Sequence, residues 1–411
     1  MYNKSAVALA VSAVFAAPAL AQETVGNVQI YGKLYPEFLS FKSSGATGPG
    51  LAPSNLVPQP TAATANDHAQ RWAVDSQNSY IGFRGDEKLG GSLSAIWQME
   101  QSLGFDDPTP SPGVGQLWAN RNSFVGLRGG FGTVKLGNMD SIYKEYGDQF
   151  SMFGLNSGNF TSASNTLSHI GLGNSRTARF HERFANSIQY ESPEFSDFTF
   201  GIQHAPDETK GNPGRTIDAN VWSYGIKYDS NRLYASLHQE RHNDFFGGSN
   251  NVAAALSNTA NPSARSRDTG TRLSVAFKPT PDHTITGDIA QLQYKESGQA
   301  AAGLFEKYER VNWALGWEAR WGGPLRTGIQ FVKMNEGKCA LSGGTACSVS
   351  GLDGKMLSLG TAYDFSKRTF LFALYSKLTN GPSALFDSWA NGTPARGADT
   401  TQYGVGIQHR F

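Results

Sequence analysis

Hydrophobic and polar positions alternate strictly through the last twelve residues of the chain. One face is mostly apolar or aromatic and consists of Thr401, Tyr403, Val405, Ile407, His409 and Phe411. The other face is polar or glycine and consists of Thr400, Gln402, Gly404, Gly406, Gln408 and Arg410. Because successive side chains of a β-strand point to opposite faces, this pattern predicts an amphipathic strand.

The same period of two recurs along the chain, so the sequence predicts sixteen strands. They are 28–41, 79–85, 92–105, 119–127, 133–137, 183–190, 198–204, 221–228, 232–240, 271–277, 284–294, 308–321, 325–334, 356–365, 368–378 and 401–411. Tight turns such as 229–231 and 322–324 alternate with long loops such as 42–70 and 138–182. Short turns at one end and long loops at the other are typical of outer-membrane barrels. A soluble sandwich or propeller gives no reason for this regularity.

Charged side chains fall on the polar faces of the predicted strands. In segment 308–321, Val311, Trp313, Leu315, Trp317 and Ala319 face one way, and Arg310, Asn312, Glu318 and Arg320 face the other. An Arg or Lys facing lipid near the bilayer midplane costs about 2–4 kcal/mol, so this segregation favours a membrane location. In lipid a sheet must close on itself, and segment 28–41 is the natural partner of the last strand.

The sequence therefore predicts an all-β fold, a 16-stranded antiparallel transmembrane β-barrel. The frames of segments 284–294 and 368–378 are ambiguous, and either face could point inward.

The first 21 residues predict a cleaved signal peptide of the Sec type. Lys4 supplies the positively charged n-region, and residues 6–17 form the apolar h-region. Ala19-Leu20-Ala21 is a small-residue cleavage signal. The run is too short to span a bilayer, and no later segment approaches 18 consecutive apolar residues. We expect an exported protein with one barrel domain at 22–411 and no transmembrane helix.

Composition gives no indication of a strongly charged partner. Without Lys4, 34 of the 35 basic side chains remain against 34 acidic ones, so the mature chain has a formal net charge of zero. This balance does not favour nucleic acid as a partner. The mean hydropathy of −0.38 fits a barrel in which half of each strand faces water.

Cys339 and Cys347 enclose a Gly- and Ser-containing segment and are the only cysteines. In an exported protein this spacing predicts a disulfide that pins a surface loop, and two free thiols are the alternative. A zinc site needs more ligands than this segment offers. His238 and His242 would stand about 13 Å apart on a strand, so they predict no metal site either.

No motif of an enzyme is present. The chain contains neither a Gly-x-Ser-x-Gly elbow nor a glycine-rich phosphate loop. We therefore expect no catalytic residues, no cofactor and no bound metal.

The chain resembles the trimeric general porins of Gram-negative outer membranes. The matching segments are 28–33 (VQIYGK), 81–91 (IGFRGDEKLGG), 124–127 (FVGL), 131–137 (FGTVKLG), 186–190 (NSIQY) and the terminal Phe411. The resemblance implies a homotrimer in the outer membrane, surrounded by its lipid and lipopolysaccharide. It also implies that loop 138–182 folds inward to constrict the pore. Phe411 looks like the signal read by the barrel-assembly machinery, and His409 stands where a tyrosine is common.

The resemblance also implies where the constriction lies. Its basic wall would consist of Lys33, Arg84, Arg121 and Arg183, and its opposing loop acids of Asp140, Glu145 and Asp148. Tyr80 replaces a frequent arginine, and segment 151–154 lacks the acid that family members often carry. Charges about 8 Å apart interact by ~0.5 kcal/mol in water and ~2 kcal/mol at an effective dielectric constant of 20. Such a filter biases passage without binding, and the missing acid favours anions.

The sequence thus predicts a water-filled channel for passive diffusion of small hydrophilic solutes and ions, with a slight anion preference. For each charged lumen residue the simpler interpretation is a hydrated barrel wall. A substrate-selective channel with a saturable binding site is the main alternative. A structural or adhesive outer-membrane protein is a further one.

Overall fold

The computed structural model describes residues 27–61, 67–104, 118–148, 151–155, 158–173, 179–210, 217–387 and 394–411. The predicted signal peptide lies outside these residues. The strands are β1 (Asn27–Leu34), β2 (Glu37–Ser44), β3 (His68–Asp75), β4 (Tyr80–Gly90), β5 (Leu93–Ser102), β6 (Ser123–Gly129), β7 (Gly132–Asp140), β8 (Arg183–Glu191), β9 (Phe198–Ala205), β10 (Asn220–Asp229), β11 (Leu233–Asn243), β12 (Arg265–Thr280), β13 (His283–Ser297), β14 (Phe305–Arg320), β15 (Leu325–Met334), β16 (Lys338–Leu341), β17 (Gly354–Asp364), β18 (Thr369–Asn380) and β19 (Asp399–Arg410). Two short helices, α1 (Ile142–Gly147) and α2 (Ala163–Ser168), and 3₁₀ turns at Met152–Gly154, Ala254–Leu256 and Ser342–Gly344 complete the described part.

These strands form a closed antiparallel barrel of sixteen strands, as predicted. Strands β1 and β2 are two halves of the first barrel strand, β3 and β4 are two halves of the second, and β16 is a short loop strand beside β14. The last strand, β19, closes the barrel against both β1 and β2. The predicted pairing of the first and last strands is thus confirmed.

The first barrel strand breaks at Tyr35 and Pro36. Pro36 has no backbone N–H to donate to a sheet ladder, so the chain changes partners here. Strand β1 pairs mainly with β4, whereas β2 pairs with β19 and β3. The loop predicted over 42–70 is shorter than expected, because β2 runs to Ser44 and β3 begins at His68. The strand predicted over 119–127 begins only at Ser123.

The barrel has an apolar outer face and a polar inner face. On β19, Val405 is 54% exposed and faces outward, whereas Gln402 is 1% exposed and faces inward. On β14, Val311 and Leu315 face outward, and Arg310 and Asn312 are buried on the inner side. The faces predicted for these two strands are confirmed.

Strands β13 and β18, whose frames were ambiguous, carry apolar residues on both faces. Their inner faces carry Ala290, Leu292 and Tyr294 on β13, and Phe370, Phe372 and Leu374 on β18, all buried. Outward neighbours such as Ile289 and Leu371 are exposed. The polar alternation is lost because the inner wall here packs against protein.

The packing partner is the long loop between β7 and β8, which folds into the barrel as predicted. Its helices begin with side-chain caps, since Ser141 accepts a hydrogen bond from the Lys144 amide at 3.1 Å and Ser162 one from Asn165 at 3.3 Å. Helix α1 packs against β9 to β12 and α2 against β13 to β15. Between them, Met152, Phe153, Leu155 and Phe160 join Tyr35 and the inner aromatic residues of β18 in one apolar cluster.

In the described part of the chain, no helix has the length and apolar character needed to cross a membrane.

Gly360 on β17 is expected to tolerate no side chain, because the loop packs directly on it. A Cβ at this position would lie 2.6 Å from Met152 Sδ and 2.7 Å from the Phe153 ring. Gly360→Leu should destabilise the folded barrel by about 1–3 kcal/mol and displace the loop. Unfolding in detergent and single-channel conductance would measure both effects.

The matched control is Gly287→Leu. The nearest atom to a Cβ at Gly287 is Leu315 Cδ2 at 3.7 Å, which is ordinary contact on the outer face. Equal destabilisation by both variants would show that the loop does not press on Gly360.

Candidate constriction site

Strands β1 and β4 and the segment just before β6 place Lys33, Arg84 and Arg121 on the inner wall. Lys33 is directly opposite Tyr80, and its ammonium lies 5.5 Å from the Tyr35 ring centroid and 5.9 Å from that of Tyr80. Although only 4% of Lys33 is exposed, the structure describes no carboxylate within 4.0 Å of it. Tyr80, which replaces the expected arginine, thus supplies an aromatic face for the lysine.

Tyrosine rings also hold the two arginines of this wall. Arg84 lies 4.6 Å from the Tyr31 ring centroid and donates to Gln29 Oε1 at 2.9 Å. Arg121 lies 4.8 Å from the Tyr80 centroid and donates to Asn78 Oδ1 at 2.6 Å. Arg121 also has a carboxylate nearby, at 3.8 Å. That carboxylate is Glu100, which accepts a hydrogen bond from Tyr31 at 2.8 Å.

Arg410 is a further basic residue of this wall that the sequence analysis did not single out. It is directly opposite Lys33 across the barrel closure, and its Nη2 lies 3.5 Å from the Gly154 carbonyl of the loop. The sequence contained the information needed to place Arg410 on the inner wall, because Arg410 falls on the polar face of the last strand. Its pairing with Lys33 depends on the closure register, which the alternation does not specify.

Arg183 and Asp140 lie together instead of on opposite sides of the lumen. They are directly opposite each other on β8 and β7, and Arg183 Nη2 is 2.9 Å from Asp140 Oδ1. Lys144 is 3.1 Å from the same oxygen, and Asn122 donates to Asp140 Oδ2 at 2.9 Å. The expectation that Asp140 opposes the basic wall across the pore is therefore wrong, because Asp140 ends β7 before the loop turns inward.

The other two loop acids also have partners. Glu145 accepts a hydrogen bond from Gln189 on the barrel wall at 3.3 Å. Asp148 caps the end of α1 and lies 3.5 Å from Nε2 of the fully buried His181. Burial lowers the pKa of His181, and the Asp148 carboxylate only partly offsets this effect. Burial alone would raise the pKa of Asp148, but its contacts with His181 and the nearby Lys144 charge hold it below the usual range.

Phe411 lies at the barrel closure. Its backbone exchanges two hydrogen bonds with Gly32, at 3.1 and 3.2 Å. A Cβ at Gly32 would lie 2.5 Å from the Phe411 ring, so the glycine leaves room for it.

A disulfide between Cys339 and Cys347 is present in the loop between β15 and β17. This loop docks on the first long loop, because Asn55 donates to the Ala346 carbonyl at 2.8 Å and accepts from the Ser348 amide at 2.8 Å. Within the described residues, no group of three or more His, Cys, Asp or Glu side chains is arranged to hold a metal ion.

The sequence profile described as Gram-negative porin matches residues 6–383. The chain belongs to the Gram-negative porin family. Over 157 residues the porin is 37% identical to the major outer membrane protein P.IB of Neisseria lactamica, covering 38% of this chain and 40% of that protein. Over 194 residues it is 31% identical to the major outer membrane protein P.IA of Neisseria meningitidis serogroup C. This match covers 46% of this chain and 43% of that protein. The porin therefore spans about two fifths of the length of the curated relatives it matches.

Solved structures share the fold of the porin. The anion-selective porin from Comamonas acidovorans superposes with a TM-score of 0.67 at 21% identity, covering 94% of this chain and all of that one. OmpT of Vibrio cholerae, folded in vitro, superposes with a TM-score of 0.59 at 14% identity. This superposition covers 95% of this chain and 99% of that one. The porin is an outer-membrane protein of Gram-negative type, and this family consists of channels and not of enzymes.

Removing Arg183 from the porin is expected to shift its ion preference toward cations. In Arg183→Gln, Asp140 keeps Lys144 but loses its second cation, so more negative charge is felt in the hydrated lumen. We expect a change of about 0.5–1 kcal/mol in the relative barriers for anions and cations, measured as a reversal potential in a salt gradient.

The control is Arg320→Gln at the tight-turn end of β14. Arg320 also shares an acid, Asp364, with a second arginine, Arg326, at 2.7 Å each. An equal shift in both variants would mean that the Asp140 cluster has no special influence on the ion path.

Proposed function

We propose that this porin is a water-filled channel for passive diffusion of small hydrophilic solutes and ions, with a preference for anions. The observation that carries the proposal is an imbalance in ion pairing. Among the described residues, Lys33, Arg84 and Arg410 have no carboxylate within 4.0 Å. Among the described acids, Asp140 and Glu100 each have an arginine or lysine within that distance, whereas Asp148 has only the buried His181 there and Glu145 accepts from the neutral Gln189.

The imbalance favours anions because an ion responds to the charge that remains uncompensated. Asp140 has two cationic partners, so its field is largely cancelled at the distance of a passing ion. The field of Lys33 and Arg410, which are directly opposite each other, adds up. At a separation of about 8 Å such charges act with ~0.5–2 kcal/mol each, which biases passage and creates no tight binding site. A porin of similar fold from Comamonas acidovorans is described as anion-selective, which supports the proposal.

We also propose that the porin assembles as a homotrimer, inserted by the barrel-assembly machinery and surrounded by outer-membrane lipid and lipopolysaccharide. A trimer form is described for OmpT of Vibrio cholerae, which has a similar fold. Exposed aromatic residues on the outer face near the closure, such as the stacked Phe38 and Trp72, are suited to apolar contacts.

Conductance of purified protein in a planar bilayer tests the proposed function. We expect ohmic current steps that appear in threes and rise in proportion to salt concentration. Saturation of the current, or block by one sugar or carboxylate, would replace this proposal with a substrate-selective channel. Folded trimers without any conductance would overturn the channel function itself.

A further inference from the structure

Residues 45–61 of the first long loop form an extended strap at the outer mouth of the barrel. The strap joins the first barrel strand to the second, whereas β11 and β12 are the ninth and tenth barrel strands. The loop between β11 and β12 therefore starts on the opposite side of the mouth. The Ala253 amide of that loop nevertheless donates to the Leu56 carbonyl of the strap at 2.8 Å. The two loops thus meet over the lumen.

The strap is long enough to make this crossing. Sixteen strands about 4.8 Å apart and tilted by about 40° enclose a barrel roughly 30 Å across. Leu56 is twelve residues beyond Ser44, the last residue of β2, and twelve extended residues reach at most ~40 Å. Prolines help to keep the strap extended, because each fixes φ and has no backbone N–H to donate. They are Pro49, Pro53, Pro58 and Pro60.

The strap has a buried face and an exposed face. Ala52, Ser54 and Leu56 are at most 7% exposed, whereas Leu51 is 69% exposed. The buried apolar side chains of the strap belong to one cluster with residues of other loops, namely Val252, Leu352, Phe386, Leu167 and Ile170. The strap is therefore packed on protein along its inner side.

Two further loops hold the middle of the strap. The Ser54 amide donates to Ser383 Oγ at 2.9 Å, and the Ser54 hydroxyl donates to the Ser348 carbonyl at 2.6 Å. The loop that contains Ser348 is closed by the disulfide between Cys339 and Cys347. We use the name lid for the strap together with loop segments 244–264, 335–353 and 381–387.

The lid lies on the outer side of the constriction. In the lid, the Leu385 amide donates to the Gly171 carbonyl of the inward loop at 2.8 Å. Leu167 and Ile170 of the inward loop belong to the same apolar cluster as the strap. The lid therefore rests on the inward loop from above. A solute that enters from outside meets the lid before it reaches Lys33 and the rest of the basic wall.

We propose that the lid is a second size filter, so that the outer mouth and the constriction both limit the size of the solutes that pass. The strap contains no charged residue, so it restricts size and leaves the ion preference to the basic wall. This proposal rests on the channel function proposed above and adds a determinant of solute size to it.

Uptake of uncharged oligosaccharides by liposomes that contain the purified porin tests the proposal. In the decisive variant, residues 48–60 are replaced by two glycines, so that the strap no longer reaches Ala253. We expect the ratio of trisaccharide to monosaccharide uptake to rise by about threefold or more. The potential in a salt gradient should stay at the wild-type value, because the variant removes no charge.

A point variant tests the packing of the strap with a matched control. Leu56→Asp places a charge on the buried face of the strap and should raise the same uptake ratio to a smaller extent. Leu51→Asp introduces the same charge on the exposed face and should leave the ratio unchanged.

An unchanged uptake ratio in the shortened variant would overturn the proposal, because the constriction alone would then limit size. A changed salt-gradient potential would also overturn it, because the variant would then act through the constriction. If the shortened chain does not fold, the uptake ratio of Leu56→Asp relative to Leu51→Asp decides the question, and equal ratios would overturn the proposal. Wild-type protein that admits no sugar and carries no current would contradict the proposed channel function itself.

Discussion

Arg272→Met is expected to lower the free energy of unfolding of the barrel by about 3–5 kcal/mol. Arg272 is fully buried on β12 and forms a bidentate ion pair with Asp288 on β13, at 2.7 and 2.9 Å. It also donates to the Gly147 carbonyl at the end of α1 and to Ser164 Oγ in α2, at 2.8 and 3.1 Å. One side chain thus attaches both helices of the inward loop to the wall.

The cost arises mainly from the group that is left behind. Without Arg272, the buried Asp288 carboxylate would lose its only described cation partner. The double variant Arg272→Met/Asp288→Leu removes both charges and should therefore be less destabilised than the single variant. Denaturant unfolding of the three proteins in detergent would measure the difference. A single variant as stable as the wild type would show that this ion pair does not hold the loop.

Lys33→Gln/Arg410→Gln is expected to abolish most of the anion preference. The two side chains are directly opposite each other, and neither has a carboxylate within 4.0 Å among the described residues. Each contributes about 0.5–2 kcal/mol to the barrier difference between anions and cations, and together about 1–4 kcal/mol, so the permeability ratio should fall at least about fivefold. Bi-ionic or salt-gradient potentials would measure this ratio.

Lys355→Gln/Lys377→Gln removes the same net charge from the outer face and is the matched control. The permeability ratio of this control should stay at the wild-type value, because its charges are separated from the lumen by the barrel wall. If both double variants shift the ratio equally, the preference arises from overall charge and not from the constriction.

The barrel could be predicted wherever one strand face meets lipid and the other meets water. Strands β14 and β19 meet both conditions, and their alternation gave the correct faces. Strands β13 and β18 do not, because the loop covers their inner faces with Leu167, Ile170 and Phe153 among others. Strand β3 was missed because its outward apolar residues are only Trp72 and Val74, directly after a proline-rich segment.

The constriction could be predicted only in part. Alternation and family resemblance placed Lys33 and Arg84 on the inner wall, but the ion pairs depend on register. Asp140 meets Arg183 only because β7 and β8 pair with an irregularity between Gly137 and Met139. Arg410 meets Lys33 only through the closure of the barrel. Neither contact leaves a periodic signal in the sequence.

We propose that the uncompensated basic residues Lys33, Arg84 and Arg410 of the wall, more than the acids of the loop, determine which ions pass. The zero-current potential of wild-type trimers across a potassium chloride gradient tests it most directly. The imbalance in pairing predicts a potential with the sign of preferential chloride movement. A potential with the sign of preferential potassium movement would contradict it.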